Sequence, residues 1–370
     1  MKSIKVVITI LSLLSILPAD VPDQNATLDS AIQAMHNLQY DRSGQLFGEV
    51  ARTDNNNIYA PLGQLIVEWY KMMGLYGNQF NKQILLQKSE ALEAFYKNKL
   101  SRTPRDPDLN LCLALAIGFK SRIVISEKNS FYVMFNGVKT LKYLRRCDEL
   151  TDDHPDLEFC KGVFEYYVSK YPGIIKYFAN MFLENTGDRE RGRQRIRYAA
   201  GADGFLKYDA NFLLAFIYLY IENQPAKAVE HIRLLVDKFP KNPNYHFLRT
   251  FANLQLNNIT TAEKNLNEYI ASMDEHNPYY KDEFINRTDF LTALLTVKKK
   301  EYDRAMDYFQ KFTENYELEL EHLMAIALLE QGKIQDFKGD HQAARKFYKR
   351  VLEIDNETYP VQLARQYLVQ

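Results

Sequence analysis

The chain holds seven histidines, His36, His154, His231, His246, His276, His322 and His341, and none stands four residues from another. A helix that binds catalytic zinc needs two histidines at that spacing, so that both imidazoles reach one ion. There is also no Gly-x-Ser-x-Gly elbow, no Gly-x-x-x-x-Gly-Lys-Ser/Thr phosphate cradle and no Gly-x-Gly-x-x-Gly turn. Acidic pairs such as Asp152/Asp153 and Glu319/Glu321 fall in loops or at helix starts, where carboxylates cap backbone N–H groups. The sequence therefore predicts no catalytic residue, no metal ligand set and no cofactor, and a chain that is not an enzyme.

The three cysteines are more informative. Cys147 and Cys160 are symmetric about Asp153-His154, so a helical hairpin turning there would set them level on adjacent helices, where a disulfide needs α-carbons within about 7 Å. Cys112 and Cys147 are nearly symmetric about Lys128-Asn129 in the same way. The alternative is that all three are buried thiols acting as small core residues. Arg189, Arg191, Arg193, Arg195 and Arg197 alternate through one segment. At about 100° per residue, Arg189, Arg193 and Arg197 share one helix face. That row could hold a carboxylate-rich peptide or a phosphate group, or it could be a solvated face partnered by nearby Asp and Glu.

These side chains sit on a chain of 370 residues with 47 Lys+Arg against 47 Asp+Glu, so no global basic field draws it to nucleic acid. Apolar residues at 46% and charged residues at 25% predict a packed core. With only 15 Gly and 12 Pro, breaks in the backbone are scarce, which favours long helices over many short strands. Lys2 and Lys5 precede an uncharged run from Val6 to Leu17, then Pro18-Ala19. This layout predicts a secretory signal peptide over residues 1–19, since the run is shorter than the ~20 residues a membrane span requires. The mature chain is expected to start near Asp20, to have no integral membrane span, and to be periplasmic or secreted. Asn25, Asn258, Asn286 and Asn356 lie in Asn-x-Thr sequons.

Internal repeats organise the rest. In residues 209–240, Phe212, Ala215, Phe216 and Leu219 form one helical face, Asn223-Gln224-Pro225 breaks it, and Ala228, Ile232 and Leu235 form a second. The marker alanines Ala228, Ala262, Ala305 and Ala344 follow one another at 34, 43 and 39 residues, each with a large residue four further on: Ile232, Leu266, Phe309 and Tyr348. Ser43 and Phe47 repeat the pattern upstream. Between them, helices are predicted over 61–73, 82–99, 109–125, 131–150, 157–171 and 174–183, and a terminal helix over 359–369 covers the end of the last repeat.

This small–large spacing resembles the tetratricopeptide repeat, in which a small residue lets paired helices cross closely and a large one fills the space beside it. The segment from Gly162 to Tyr167 with Pro172-Gly173 and Gly187 to Gly192 looks like part of uncharacterised exported bacterial repeat proteins, and is faintly similar to the tetratricopeptide-39/inclusion-body-clearance family. The resemblance implies an all-α, right-handed α-solenoid of roughly eight or nine antiparallel hairpins, divergent over 20–205 and closer to the family over 206–370. It implies a scaffold of the cell envelope that binds a protein or peptide partner on the concave surface. In the family's register Leu213, Ile217 and Tyr220 face that inner curve, with Arg189, Arg193 and Arg197 bordering it. The alternative function is a carrier holding a lipid or small hydrophobic ligand in an apolar groove.

Overall fold

The computed structural model describes residues 25–74, 82–125, 130–168, 188–204, 206–274, 276–279, 281–316, 322–354 and 358–369. The leader over 1–19, the helix expected over 174–183 and the Asn356 sequon lie outside these residues. Among the described residues there are seventeen α-helices, one π-helical turn and no strand. The helices are α1 (Asn25–His36), α2 (Tyr40–Thr53), α3 (Ala60–Gly74), α4 (Lys82–Arg102), α5 (Pro107–Ile125), α6 (Ser130–Asp148), α7 (Pro155–Val168), α8 (Arg189–Gly201) and α9 (Lys207–Phe216). After the π turn Ile217–Ile221 come α10 (Pro225–Lys238), α11 (Pro243–Gln255), α12 (Ile259–Ala271), α13 (Lys281–Lys298), α14 (Tyr302–Glu314), α15 (His322–Phe337), α16 (His341–Glu353) and α17 (Tyr359–Val369). None of the described helices is long and apolar enough to cross a membrane. The fold is all-α, a succession of packed helical hairpins, and it divides into a unit ending at Leu213 and a unit from Leu214 onward.

Helical periodicity places the core. Tyr40, Ser43, Phe47 and Val50 are the buried residues of α2, three or four apart, and Ala344, Tyr348 and Val351 repeat that stripe on α16. Residues 111–117 of α5 are buried without a break, as expected of a helix packed on several sides. The starts are capped from the sequence: the side chains of Asp106, Asp188, Asn242 and Asp340 each accept a backbone N–H of the helix that follows.

Five of the hairpin turns share one backbone device. Leu38, Asn223, Asn257, Lys300 and Gly339 all have positive φ, between 50° and 82°. Each stands five residues before the small residue of the next helix, Ser43, Ala228, Ala262, Ala305 and Ala344. The left-handed residue ends one helix, and the next backbone N–H reaches back to an orphan carbonyl: Gln39 to Ala34 at 2.8 Å, Asn258 to Asn253 at 2.9 Å, Glu301 to Thr296 at 2.9 Å and Asp340 to Gln335 at 2.9 Å. The turn thus fixes where the following helix begins, and so which of its residues meets the crossing.

The first unit adds a polar ladder along its helix starts. Tyr59 Oη donates to Asp108 Oδ1 at 2.6 Å, and His154 Nε2 lies 3.0 Å from the same oxygen. One helix pair further on, the Leu206 N–H donates to Asp156 Oδ1 at 2.7 Å. The partners are separated by 49, 46 and 50 residues, so the repeat is longer here than in the second unit. Burial alone would lower the His154 pKa, but the bond to Asp108 and the charges of Asp156 and Asp108 outweigh it and hold the imidazole above its usual value. The bond from His154 leads the causes that hold Asp108 below the usual carboxylate range.

Candidate functional site

Leu213, Ile217 and Tyr220, expected on an exposed inner curve, are buried instead: they are 0%, 0% and 2% exposed. The segment Ile217–Ile221 is IYLYI, apolar or aromatic all round, and all five residues are buried. In the second unit the Tyr220 ring stacks 5.3 Å from Phe251 and meets His322 edge-on at 4.4 Å, while Phe216 meets His322 at 5.3 Å. Gln255 Nε2 also donates to Tyr359 Oη at 3.3 Å, across 104 residues of sequence. Helices α15 and α17 therefore pack against this face and cover it with their own side chains. Burial pushes the Tyr220 phenol well above its usual pKa, so it remains a neutral core group.

The arginine row of α8 has local partners. Arg189 donates to Tyr166 Oη at 3.0 Å and stands over that ring, and Arg193 pairs with Glu190. Arg197 is exposed. The intervening arginines face α7: Arg191 and Arg195 both reach Glu165 Oε2, at 2.9 and 3.2 Å, and Arg195 also pairs with Glu158. Between them Gly192 crosses Gly162 so closely that a Cβ on Gly192 would lie 2.5 Å from the Tyr166 nitrogen and 2.7 Å from the Gly162 oxygen. Much of this basic segment thus serves to dock α8 on α7.

Cys112, Cys147 and Cys160 are free and buried, so the Cys147–Cys160 disulfide is not formed in this structure. Burial pushes the Cys147 thiol up to about 12, and the other two well above their usual value. Thiols held protonated lack the thiolate needed for exchange or metal binding, and they pack as small core residues. Among the described residues no group of three His, Cys, Asp or Glu side chains is arranged to hold a metal ion.

An open site lies elsewhere in the first unit. A cleft of about 530 Å³ runs between the α4–α5 turn and the C-terminal half of α6. Leu141, Leu144 and Cys147 turn one side of α6 into the core, and this directs Lys142, Arg145, Arg146 and Glu149 outward to the cleft. Leu100 from the end of α4, Pro104 from the turn and Tyr143 from α6 add apolar lining. Glu149 is shared by two guanidinium groups, Arg146 Nη1 at 3.0 Å and Arg145 Nε at 3.4 Å. The Lys142 ammonium lies 5.8 Å from the Tyr143 ring centroid. Sequence reading passed over this face although its signal was present: basic residues at 139, 142, 145 and 146 recur at helical spacing. A second groove of about 680 Å³ lies between α2, α3 and α4, over Pro61, Leu65 and Leu92. Its rim is charge-balanced by the pairs Lys71–Asp41 at 2.6 Å and Lys88–Glu68 at 3.3 Å.

A close helix crossing in the second unit involves Gly332 of α15, where an added Cβ would lie 2.8 Å from Cδ1 of the Tyr348 ring on α16. Ala344, one turn before Tyr348, is fully buried. Residues 326–355, which span this crossing, match the tetratricopeptide repeat family. The chain carries a tetratricopeptide repeat. The same small–large pair is buried in the preceding tetratricopeptide-like hairpins, as Ala228/Ile232, Ala262/Leu266 and Ala305/Phe309. No curated protein matches the sequence. Among solved structures, a human IFIT1 dimer with PPP-AAAA aligns at 16% identity and TM-score 0.34, over 86% of this chain and 69% of that one. Yeast Tom70 aligns at 11% identity and TM-score 0.39, over 86% and 65%. A tetratricopeptide repeat protein from Parabacteroides merdae aligns at 8% identity and TM-score 0.29, over 87% and 98%. The chain thus spans about two thirds of the human and yeast proteins.

Proposed function

We propose that this chain is a non-enzymatic scaffold, exported to the cell envelope, that binds a protein partner through the clefts of its first unit. The tetratricopeptide hairpin stack supports protein–protein interaction in general. The observation that carries the finer reading is the contrast between the two faces. The face of the second unit that carries Tyr220 is covered by Phe251, His322 and Tyr359, whereas the α6 cleft is open and lined by exposed charged side chains. The lipid-carrier alternative draws no support from that face, since its apolar side chains already cover one another. Export rests on the charged, then apolar, leader before Asp20.

A photo-crosslinking residue at Lys142, in the full chain expressed in its native host, tests the reading. It should give a discrete protein adduct that the same residue at exposed Lys349 on α16 does not. Equal labelling at both positions, or none at either, overturns the proposal. N-terminal sequencing of the same material should begin near Asp20; an intact Met1 would refute export with cleavage.

A further inference from the structure

Two basic clusters of the first unit resemble each other in sequence and differ in what surrounds them. On α8, Arg191 and Arg195 face Glu158 and Glu165 of α7, so their charge is matched inside the fold. On α6, Lys142, Arg145 and Arg146 share only Glu149 within the cleft, and Lys142 forms no ion pair among the described residues. The neighbouring carboxylate Asp148 is engaged by Lys161 at 2.7 Å. The cleft therefore keeps an excess of positive charge at side chains that are 63% and 47% exposed for Arg145 and Arg146.

We propose that the α6 cleft binds an acidic peptide segment of a protein partner, one that carries a bulky apolar residue beside its carboxylates. This rests on the scaffold reading above and names the chemistry of the partner. Glu149 already shows how a carboxylate sits there: its two oxygens each take one guanidinium, leaving most of the ten N–H donors of the pair for further acceptors. An incoming carboxylate completes that arrangement, and Lys142 supplies a third cation without a competing partner. Leu100, Pro104 and Tyr143 fit an apolar side chain, which a bare inorganic anion lacks, and a cleft of about 530 Å³ is larger than such an ion needs.

The test uses the full chain and three probes: a labelled dodecapeptide of Glu residues around one Phe, its Gln counterpart, and vesicles containing phosphatidylglycerol. Fluorescence anisotropy at low salt should show the Glu peptide binding about tenfold or more tighter than the Gln peptide, with affinity falling as salt rises. Lys142→Glu with Arg146→Glu should abolish that preference while leaving the thermal transition in place, because both side chains are exposed. Glu149→Gln should tighten the Glu peptide about two- to fivefold by removing the internal competitor. Equal binding of the two peptides, preference retained in the double variant, or weaker binding in E149Q would overturn the proposal, and so would vesicle binding that displaces the peptide. If the peptide preference fails while the Lys142 photo-adduct forms, the ligand class is wrong and the scaffold stands; loss of both removes the scaffold reading as well.

Discussion

Replacing Gly192 by alanine is expected to destabilise the first unit, although alanine is the better helix former by about 1 kcal/mol. The new methyl would stand 2.5 Å from the Tyr166 backbone nitrogen and 2.7 Å from the Gly162 carbonyl oxygen, where ordinary contact begins near 3.4 Å. Backbone atoms cannot rotate aside, so α7 and α8 must part by most of an ångström. A gap of 0.5–1 Å already forfeits roughly a quarter to a half of each dispersion contact across the crossing. That crossing holds Val163, Tyr166, Ile196 and Ala199, all buried. Overpacking of this kind costs about 1–3 kcal/mol, and the immobility of the neighbours puts Gly192 near the top of that range. With the propensity gain subtracted, about 2 kcal/mol remains, or a fall of roughly 4–8 °C in the transition of a unit this size. Differential scanning calorimetry of wild type and Gly192→Ala measures it. Gly201→Ala, in the same helix but with open space around the added carbon, is the control and should raise stability by up to about 1 kcal/mol. A Gly192→Ala transition equal to or above wild type, with the control behaving normally, would refute the close-crossing argument.

Three further outcomes follow from the same geometry. Tyr220→Ala should lower stability by about 3–5 kcal/mol, read by chemical denaturation, because the ring is packed against Phe251 and His322; an unchanged midpoint would return Tyr220 to the surface. Lys300→Gly should stabilise by about 1 kcal/mol, since φ of 63° strains a residue with a Cβ, and a loss of stability would show that the lysine side chain contributes more than the strain. The His154–Asp108 contact makes stability depend on pH in two directions. His154, raised in the folded chain, contributes fully below its unfolded value of 6.5 and loses that contribution as pH rises through the folded value; Asp108, lowered, contributes above 3.8 and loses it as pH falls through the folded value. The difference in melting temperature between wild type and His154→Asn should therefore be largest near about pH 5–6 and shrink above neutrality, and a flat difference would show that the pair is not titrating.

Much of the second unit was legible in the sequence because its signals are local. A left-handed turn residue five positions before a small residue, with a large one a turn later, needs only one hairpin to be recognised, and Ala228, Ala262, Ala305 and Ala344 are all fully buried on second helices. Ser43 and Phe47 obey the same rule in the first unit. The longer repeat between them was not legible. Its ladder joins Tyr59, Asp108 and His154, three side chains with nothing in common but the ability to share a proton-bearing contact, at separations near 50 residues.

The sequence by itself determined which segments are helices, where they turn and which small residues sit at crossings, because 3.6-residue periodicity and capping act within a dozen residues. Tertiary structure alone decided what those faces meet. Tyr220 has the sequence setting of a groove residue, and it became core because residues around 322 and 359 return to the start of the same unit. Two rows of basic residues with similar helical spacing parted in the same way. A helix bearing Glu158 and Glu165 packs against Arg191 and Arg195, whereas α6 turns Lys142, Arg145 and Arg146 into an open cleft with one carboxylate between them. Charge matching is a property of neighbours in space, and the packing of one helix on the next, which no single helix encodes, decides those neighbours.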